Sequence, residues 1–325
     1  MSHSPLMGRN DPAQNVIDDV DAAFESARAF ITDFAPDVVM IFAPDHYNGV
    51  YYDLMPPFCI GAAAQSVGDY GTEAGPLTVD REAAYAVARE VLGSGIDTAF
   101  SERMYVDHGF AQALQLLVGS ISAVPTVPIF INSVAEPLGP VSRVRLLGEA
   151  VGRAAVNLDK RVLFVGSGGL SHDPPVPQFA TAPVEVKEKL IDGRNPTEAE
   201  RNAREQRVVD AGRDFAAGVA TIQPLNPQWD RHLLDVLASG DLALDRFLVQ
   251  RMVRRTSRTL LPRSSHLDRC VRISERCRPI PRHLDFLPRD SRVDRWIWDY
   301  DCCLDRRRLE LAHGGANTDH SRVFQ

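Results

Sequence analysis

The chain reads as an α/β protein: a single domain with a mainly parallel central sheet flanked by helices. Two observations predict this. The runs VVMIF (38–42), TVPIFIN (126–132) and VLFVG (162–166) are short, rich in β-branched residues and mostly apolar, as expected of strands covered on both faces. Between them lie longer segments whose apolar residues recur at helical spacing, and alternation of the two implies parallel strands joined by helices. At 325 residues, 44 % apolar and 24 % charged, the chain is long enough to bury a sizeable core and too apolar for extended disorder.

The elements follow in order. Asp11-Pro12 reads as a helix start, and Val16, Ile17, Val20, Phe24, Ala27, Phe30, Ile31 and Phe34 mark the apolar face of a helix behind it. The strand 38–42 stops at Ala43-Pro44-Asp45-His46. A helix fits 80–92, ended by Gly93 and Gly95, and another starts near Gly109. Strand 126–132, a helix over 141–156 and strand 162–166 complete the alternation, and 195–216 reads as a charged, solvated helix. No apolar run reaches about 18 residues, so no membrane span is expected. MSHSPLMGRNDPAQ lacks the apolar stretch of a secretory leader, so a cytosolic location is expected.

Charge divides the chain. Residues 1–246 hold 16 Arg, 3 Lys and 33 acids, a net of −14. Residues 247–325 hold 17 Arg, no Lys and 10 acids, a net of +7, together with four of the five cysteines, Cys270, Cys277, Cys302 and Cys303. The expected organisation is a catalytic domain over 1–246 and an anomalous Arg/Cys-rich tail over 247–325.

Chemistry points to the histidines. The body has five: His3, His46, His108, His172 and His232. His46 and His172 follow strands through turns, His108 precedes a helix, and His3 precedes the first helix. Loops after the strands of an open parallel sheet share the edge where ligands bind, so four imidazoles far apart in sequence are expected to converge there. Asp45 and Asp107, beside His46 and His108, are candidates to orient those rings, or else solvated turn acids. The turn Gly166-Ser167-Gly168-Gly169 lacks the form of a phosphate loop and reads as a tight turn that lets backbone approach a site. Cys59 reads as a small core residue. No CxxC pair occurs, which argues against a zinc knuckle.

The segments SHSPL (2–6), FAPDHYNGVYYDLMPPFCIG (42–61), VDHGFAQAL (106–114), PIFIN (128–132), KRVLFVGSGGLSHDPPVP (160–177) and PLNPQWD (224–230) resemble, in order, the class III extradiol dioxygenases, the superfamily that includes protocatechuate 4,5-dioxygenase. The resemblance implies an enzyme that opens a catechol ring beside its two hydroxyls with O₂ and Fe(II). Its substrate would be 3-(2,3-dihydroxyphenyl)propionate or 2,3-dihydroxycinnamate, and its product a 2-hydroxy-6-oxo-nonadienedioate type of acid. Carried over motif by motif, His108 would be the proton donor, His172 the proton acceptor, and His3 and His46 the imidazole ligands of the iron. The resemblance also implies a homo-oligomer. Two imidazoles and a carboxylate on one face of Fe(II) leave positions for substrate and O₂. A catechol hydroxyl, with a pKa near the tyrosine value of about 10, gives its proton to a histidine of about 6.5 only uphill, by roughly 4.8 kcal/mol. A metal offsets that cost by stabilising the bound phenolate.

The family's third ligand is a glutamate in a later His-Glu motif, and no His-Glu pair occurs in this chain. A frameshift accounts for this and for the tail's composition. Back-translation of Val249 onward, re-read one nucleotide later, permits two long family-like stretches in one phase, over 249–271 and 282–303. The restored glutamate would span the codons of Arg263 and Ser264. The start is also short, because Met1-Ser2-His3 leaves no room for a strand before the first ligand, so the expected start lies upstream. Two other readings stay open: a zinc-dependent hydrolase using the same histidines, and nucleic-acid binding through the basic tail, which its 10 acids disfavour.

Overall fold

The computed structural model describes residues 1–171, 174–220 and 222–239. His172 and the tail expected over 247–325 lie outside them, so the domain boundary expected at 246 lies there too.

The strand runs predicted from sequence form the middle of a five-stranded sheet. β1 (Val38–Ala43) lies between β7 (Thr126–Ile131) and β8 (Val162–Gly166) and is parallel to both. Its alternate residues explain why the run is apolar throughout. Val38, Met40 and Phe42 face α2 (Arg81–Gly93) and α4 (Val141–Val156), whereas Val39, Ile41 and Ala43 face α1 (Gln14–Phe34) and α3 (His108–Val118). Both faces are dry, so neither set of positions tolerates a polar side chain.

The sheet departs from pure parallel order at one place. β2 (Phe58–Gly61) runs antiparallel to β7 and parallel to the edge strand β5 (Ala99–Ser101), in the order β5-β2-β7-β1-β8. A second, three-stranded sheet joins β4 (Ala74–Pro76), β3 (Ala64–Val67) and β6 (Met104–Val106), with β3 and β6 parallel and Ser66 opposite Val106. That register brings the turn after β3, which contains Asp69, alongside Asp107-His108 after β6. Met1 sits beside the end of β8: its ammonium donates to the Gly166 carbonyl at 2.6 Å, and Gly168 N donates to the Met1 carbonyl at 2.9 Å.

Helix termini follow local chemistry. Asp80 caps α2 by accepting from Ala83 N, and Asp107 caps α3 by accepting from Gly109 N. Asp11 caps nothing: α1 begins after Ala13, with no side-chain cap. The helix predicted near 195–216 is α6 (Glu198–Ala216), begun by a capping box between Thr197 and Glu200. α5 (Val184–Asp192) and α7 (Pro227–Ser239) complete the order. No helix among the described residues is long and apolar enough to cross a membrane.

One glycine shows how closely the loop after β1 is laid down. A Cβ on Gly49 would stand 2.2 Å from the Tyr105 carbonyl oxygen of β6 and 3.1 Å from Asp45 Oδ2. Gly49→Ala should therefore cost about 1–3 kcal/mol in a urea unfolding experiment. Gly139→Ala, where a Cβ meets nothing within 4 Å, should stay within about 0.5 kcal/mol of the parent.

Candidate functional site

Three of the four predicted histidines meet at the carboxyl end of the sheet. The ring centroids of His46 and His108 lie 4.6 Å apart, those of His3 and His46 5.2 Å, and those of His3 and His108 5.5 Å. One nitrogen from each ring falls within 4.8 Å of the others. His46 arrives on the loop after β1, His108 on the first turn of α3, and His3 from the segment beside β8. His172 lies outside the described residues. Ser171 before it donates from N and Oγ to the Asp230 carboxylate, both at 2.8 Å, and Asn226 N donates to Ser171 Oγ at 2.7 Å. The GGLS turn is thereby tied to α7. His232, on α7, is exposed and stands outside the cluster.

Each imidazole is held through Nδ1. Asp107 Oδ2 accepts from both the backbone N (2.8 Å) and Nδ1 (2.9 Å) of His46. Asp69 does the same for His108, with Oδ1 accepting from N at 2.8 Å and Oδ2 from Nδ1 at 2.6 Å. Asn48 Nδ2 stands between the acids, 3.2 Å from Asp69 Oδ2 and 3.3 Å from Asp107 Oδ2. Ser167 Oγ donates to the Gly109 carbonyl at 2.6 Å, so toward His3 Nδ1, 2.9 Å away, it can only accept. A carboxylate acceptor on His46 and a hydroxyl acceptor on His3 both place the ring proton on Nδ1. In the neutral rings this leaves Nε2 as the lone-pair nitrogen, the tautomer that binds a metal.

The two aspartates next to the histidines divide their work differently from the sequence expectation. Neither is solvated: Asp45 is 5 % exposed and Asp107 is fully buried. Asp107 orients His46 rather than its own neighbour. Asp45 touches neither ring; its carboxylate accepts from the backbone N of Asn48, Gly49 and Val50 and shapes the loop. Asp69, absent from the sequence reading, is the partner of His108. Its one sequence signal was the Gly68-Asp69-Tyr70-Gly71 turn. Tyr70 there has a left-handed backbone (φ 50°), held by its N–H donating to Glu205 at 2.7 Å, and its ring packs edge-on against His108 with centroids 4.8 Å apart.

Two further readings from sequence resolve. Two amides of the 166–169 turn are spent on backbone, Ser167 N on Phe42 O and Gly168 N on Met1 O, as suits a tight turn that brings backbone close to the site. Cys59 is buried in the sheet, and burial pushes its thiol up to about 12.

Charge is concentrated and compensated. Burial would raise Asp107, but the His108 and His46 rings and the Gly109 amide hold it well below the carboxylate range. Burial, reinforced by the charge of Asp107, pushes Asp45 upward. Burial would depress His108, but the charges of Asp107 and Asp69, with the Asp69 hydrogen bond, raise it to about 9.

A mainly parallel sheet with three braced imidazoles beside its carboxyl edge defines an α/β protein with a donor set that could hold a metal ion. The family model for the catalytic LigB subunit of aromatic ring-opening dioxygenase matches residues 1–259, and the chain belongs to that family. It is 90 % identical over 242 residues, 74 % of this chain and 77 % of the relative, to a 2,3-dihydroxyphenylpropionate/2,3-dihydroxicinnamic acid 1,2-dioxygenase of Rhodococcus jostii. Proteins of the same name from Mycolicibacterium gilvum and Paraburkholderia xenovorans are 54 % identical over 243 residues (75 % of this chain, 77 % of theirs) and 51 % identical over 260 residues (80 % and 82 %). The resemblance drawn from the histidine segments thus agrees with the family match.

The raised His108 gives a signed pH prediction for the metal-free chain. A folded value near 9 against an ordinary 6.5 means that charged His108 contributes stability fully below pH 6.5 and loses it as pH rises through about 9. The thermal midpoint should fall across that window, and Asp69→Asn should flatten the fall.

Proposed function

We propose that this chain is an extradiol ring-cleaving dioxygenase acting with O₂ and Fe(II) on 3-(2,3-dihydroxyphenyl)propionate and 2,3-dihydroxycinnamate, in the cytosolic breakdown of aromatic acids and as a homo-oligomer. The observation that carries the reading is the trio of His3, His46 and His108, each braced through Nδ1, in a chain 90 % identical to a protein named for that reaction.

The donor set suits a divalent transition metal. His3 and His46 would hold it through Nε2, their tautomers set beforehand by Ser167 and Asp107. Fe(II) so bound would supply the open positions and charge that favour a catecholate and O₂. His108 would act as proton donor: its Nδ1–H donates to Asp69, and the charges of Asp107 and Asp69 favour the imidazolium, which leaves the Nε2 proton to give. His172, the next residue after the clamped Ser171, would accept the catechol proton. Three imidazoles would also suit zinc, and metal analysis separates that outcome.

Residues 247–325 we read as an out-of-frame tail. The matches to the relatives above cover 242 to 260 of 325 residues and leave 18–23 % of those proteins unmatched, which supports this reading. The family's glutamate ligand would then be missing. Even loss of a residue behind a ligand typically costs about 10–100-fold in metal affinity or activity, and loss of a ligand should cost more.

The test is O₂ consumption with added Fe(II) and 3-(2,3-dihydroxyphenyl)propionate. A frame-corrected chain should turn over and the present chain should be severely impaired. In the corrected chain, His108→Phe should lower kcat by about 10²–10⁴-fold with iron content unchanged, whereas His46→Ala should lose the iron. Iron lost from His108→Phe would assign His108 as a ligand instead.

A further inference from the structure

We propose that Arg204 recognises the side-chain carboxylate of the substrate. The inference rests on the function proposed above and adds to it a specificity residue.

The helix expected to be wholly solvated, α6, turns one face to the site. Arg201, Arg204 and Glu205, spaced i, i+3, i+4, all reach inward. Glu205 accepts from Tyr70 N and pairs with Arg9 at 2.9 Å, so Arg9 already has its anion. Arg201 donates to the Val67 carbonyl at 2.8 Å, at the end of β3. Arg204 differs in where it stands. Its Nη1 donates to the Tyr47 carbonyl at 3.1 Å and to Asn48 Oδ1 at 2.5 Å, in the two residues that follow His46. The same Asn48 amide touches both acids that orient His46 and His108. One amide and one carboxylate therefore separate the guanidinium from the ring of His46.

Arg204 forms no ion pair with any described residue, and both its acceptors are neutral. A guanidinium has five N–H donors in a fixed fork, and only Nη1 is engaged here. A half-buried cation without an anion is costly, and the cost falls when a ligand brings the anion. A catechol seated at the imidazoles carries its carboxylate two methylenes from the ring, and a carboxylate is the group to which the Arg fork donates in bidentate fashion. Tyr47 is buried with a left-handed backbone (φ 58°), which turns its carbonyl to the guanidinium and fixes Arg204 beside the site.

The test is equilibrium binding to the frame-corrected chain loaded with Fe(II) without oxygen, comparing 3-(2,3-dihydroxyphenyl)propionate with 3-propylcatechol, in which a methyl replaces the carboxylate. The parent should prefer the propionate. Arg204→Gln should erase about ten- to a hundredfold of that preference, Arg204→Lys should keep part of it, and Arg201→Gln should leave the ratio unchanged. Equal weakening of both ligands by Arg204→Gln would show a brace for Asn48 and overturn the proposal. So would a parent that binds both ligands alike. A parent that binds neither would overturn the dioxygenase reading itself, and this proposal with it.

Discussion

The pairing of Asp107 with His46 is the contact on which the rest of the site depends. One buried carboxylate ties two elements through three contacts: it caps α3, it accepts from both the backbone N and Nδ1 of the histidine after β1, and it meets the Asn48 amide of the same loop, which leads to Asp69. A fully buried carboxylate is tolerated only where its lone pairs are filled. Here every acceptor direction in use is occupied by a fixed N–H, so the ion that would destabilise an apolar core instead sets the distance between strand and helix. Removing it would release the ring of His46, the start of α3 and the companion acid together.

Asp69 repeats the device on His108, and the repetition has a geometric origin. β3 and β6 are parallel neighbours, so the turns that follow them lie side by side, and an acid after one strand meets a histidine after the other. The paired acids also explain the opposite tendencies of the neighbouring groups. Asp107 is held low by the imidazoles, His108 is held high by the acids, and Asp45, sharing the burial without a ring to balance it, is pushed up. A ligand tautomer and a proton donor thus arise from one arrangement, in which only the surroundings of each ring differ.

Much of this was legible in the residues. β1, β7 and β8 announce themselves because strands dry on both faces are dominated by apolar residues. The convergence of the histidines was expected from loops sharing one sheet edge, but only His46 stands on such a loop, since His108 follows β6 of the second sheet and His3 lies beside the end of β8. The strands β2 to β6 were not legible: at three or four residues each, with Ala, Ser, Gln, Gly and Pro among them, they carry no period to read. Asp69 was hidden because its partner lies 39 residues away and the connection is a sheet register. Arg204 was hidden because an arginine on a charged helix looks solvated until the helix is docked. Of its nineteen residues only Val209 is buried, so α6 is held to the body by polar reach more than by an apolar stripe.

That mode of attachment bears on how the site is divided along the chain. The imidazoles and their braces come from residues 3 to 167, while the outer contacts come from α6 and α7: Arg204 on Asn48, Glu205 on Tyr70, Asp230 on Ser171. Polar anchors of this kind are directional and need few apolar neighbours, so they can dock helices beside the histidines without enlarging the core. They also make this contact sensitive to a bound anion, since a carboxylate at Arg204 would replace solvent around a cation that forms no ion pair with any described residue. On the proposed frame break after residue 246, all of these anchors lie upstream of the break and the missing carboxylate ligand lies downstream. The braces that preset the imidazole tautomers would therefore survive intact in a chain short of one metal ligand, because Ser167, Asp107 and Asp69 act on Nδ1 and none of them depends on the metal to be in place.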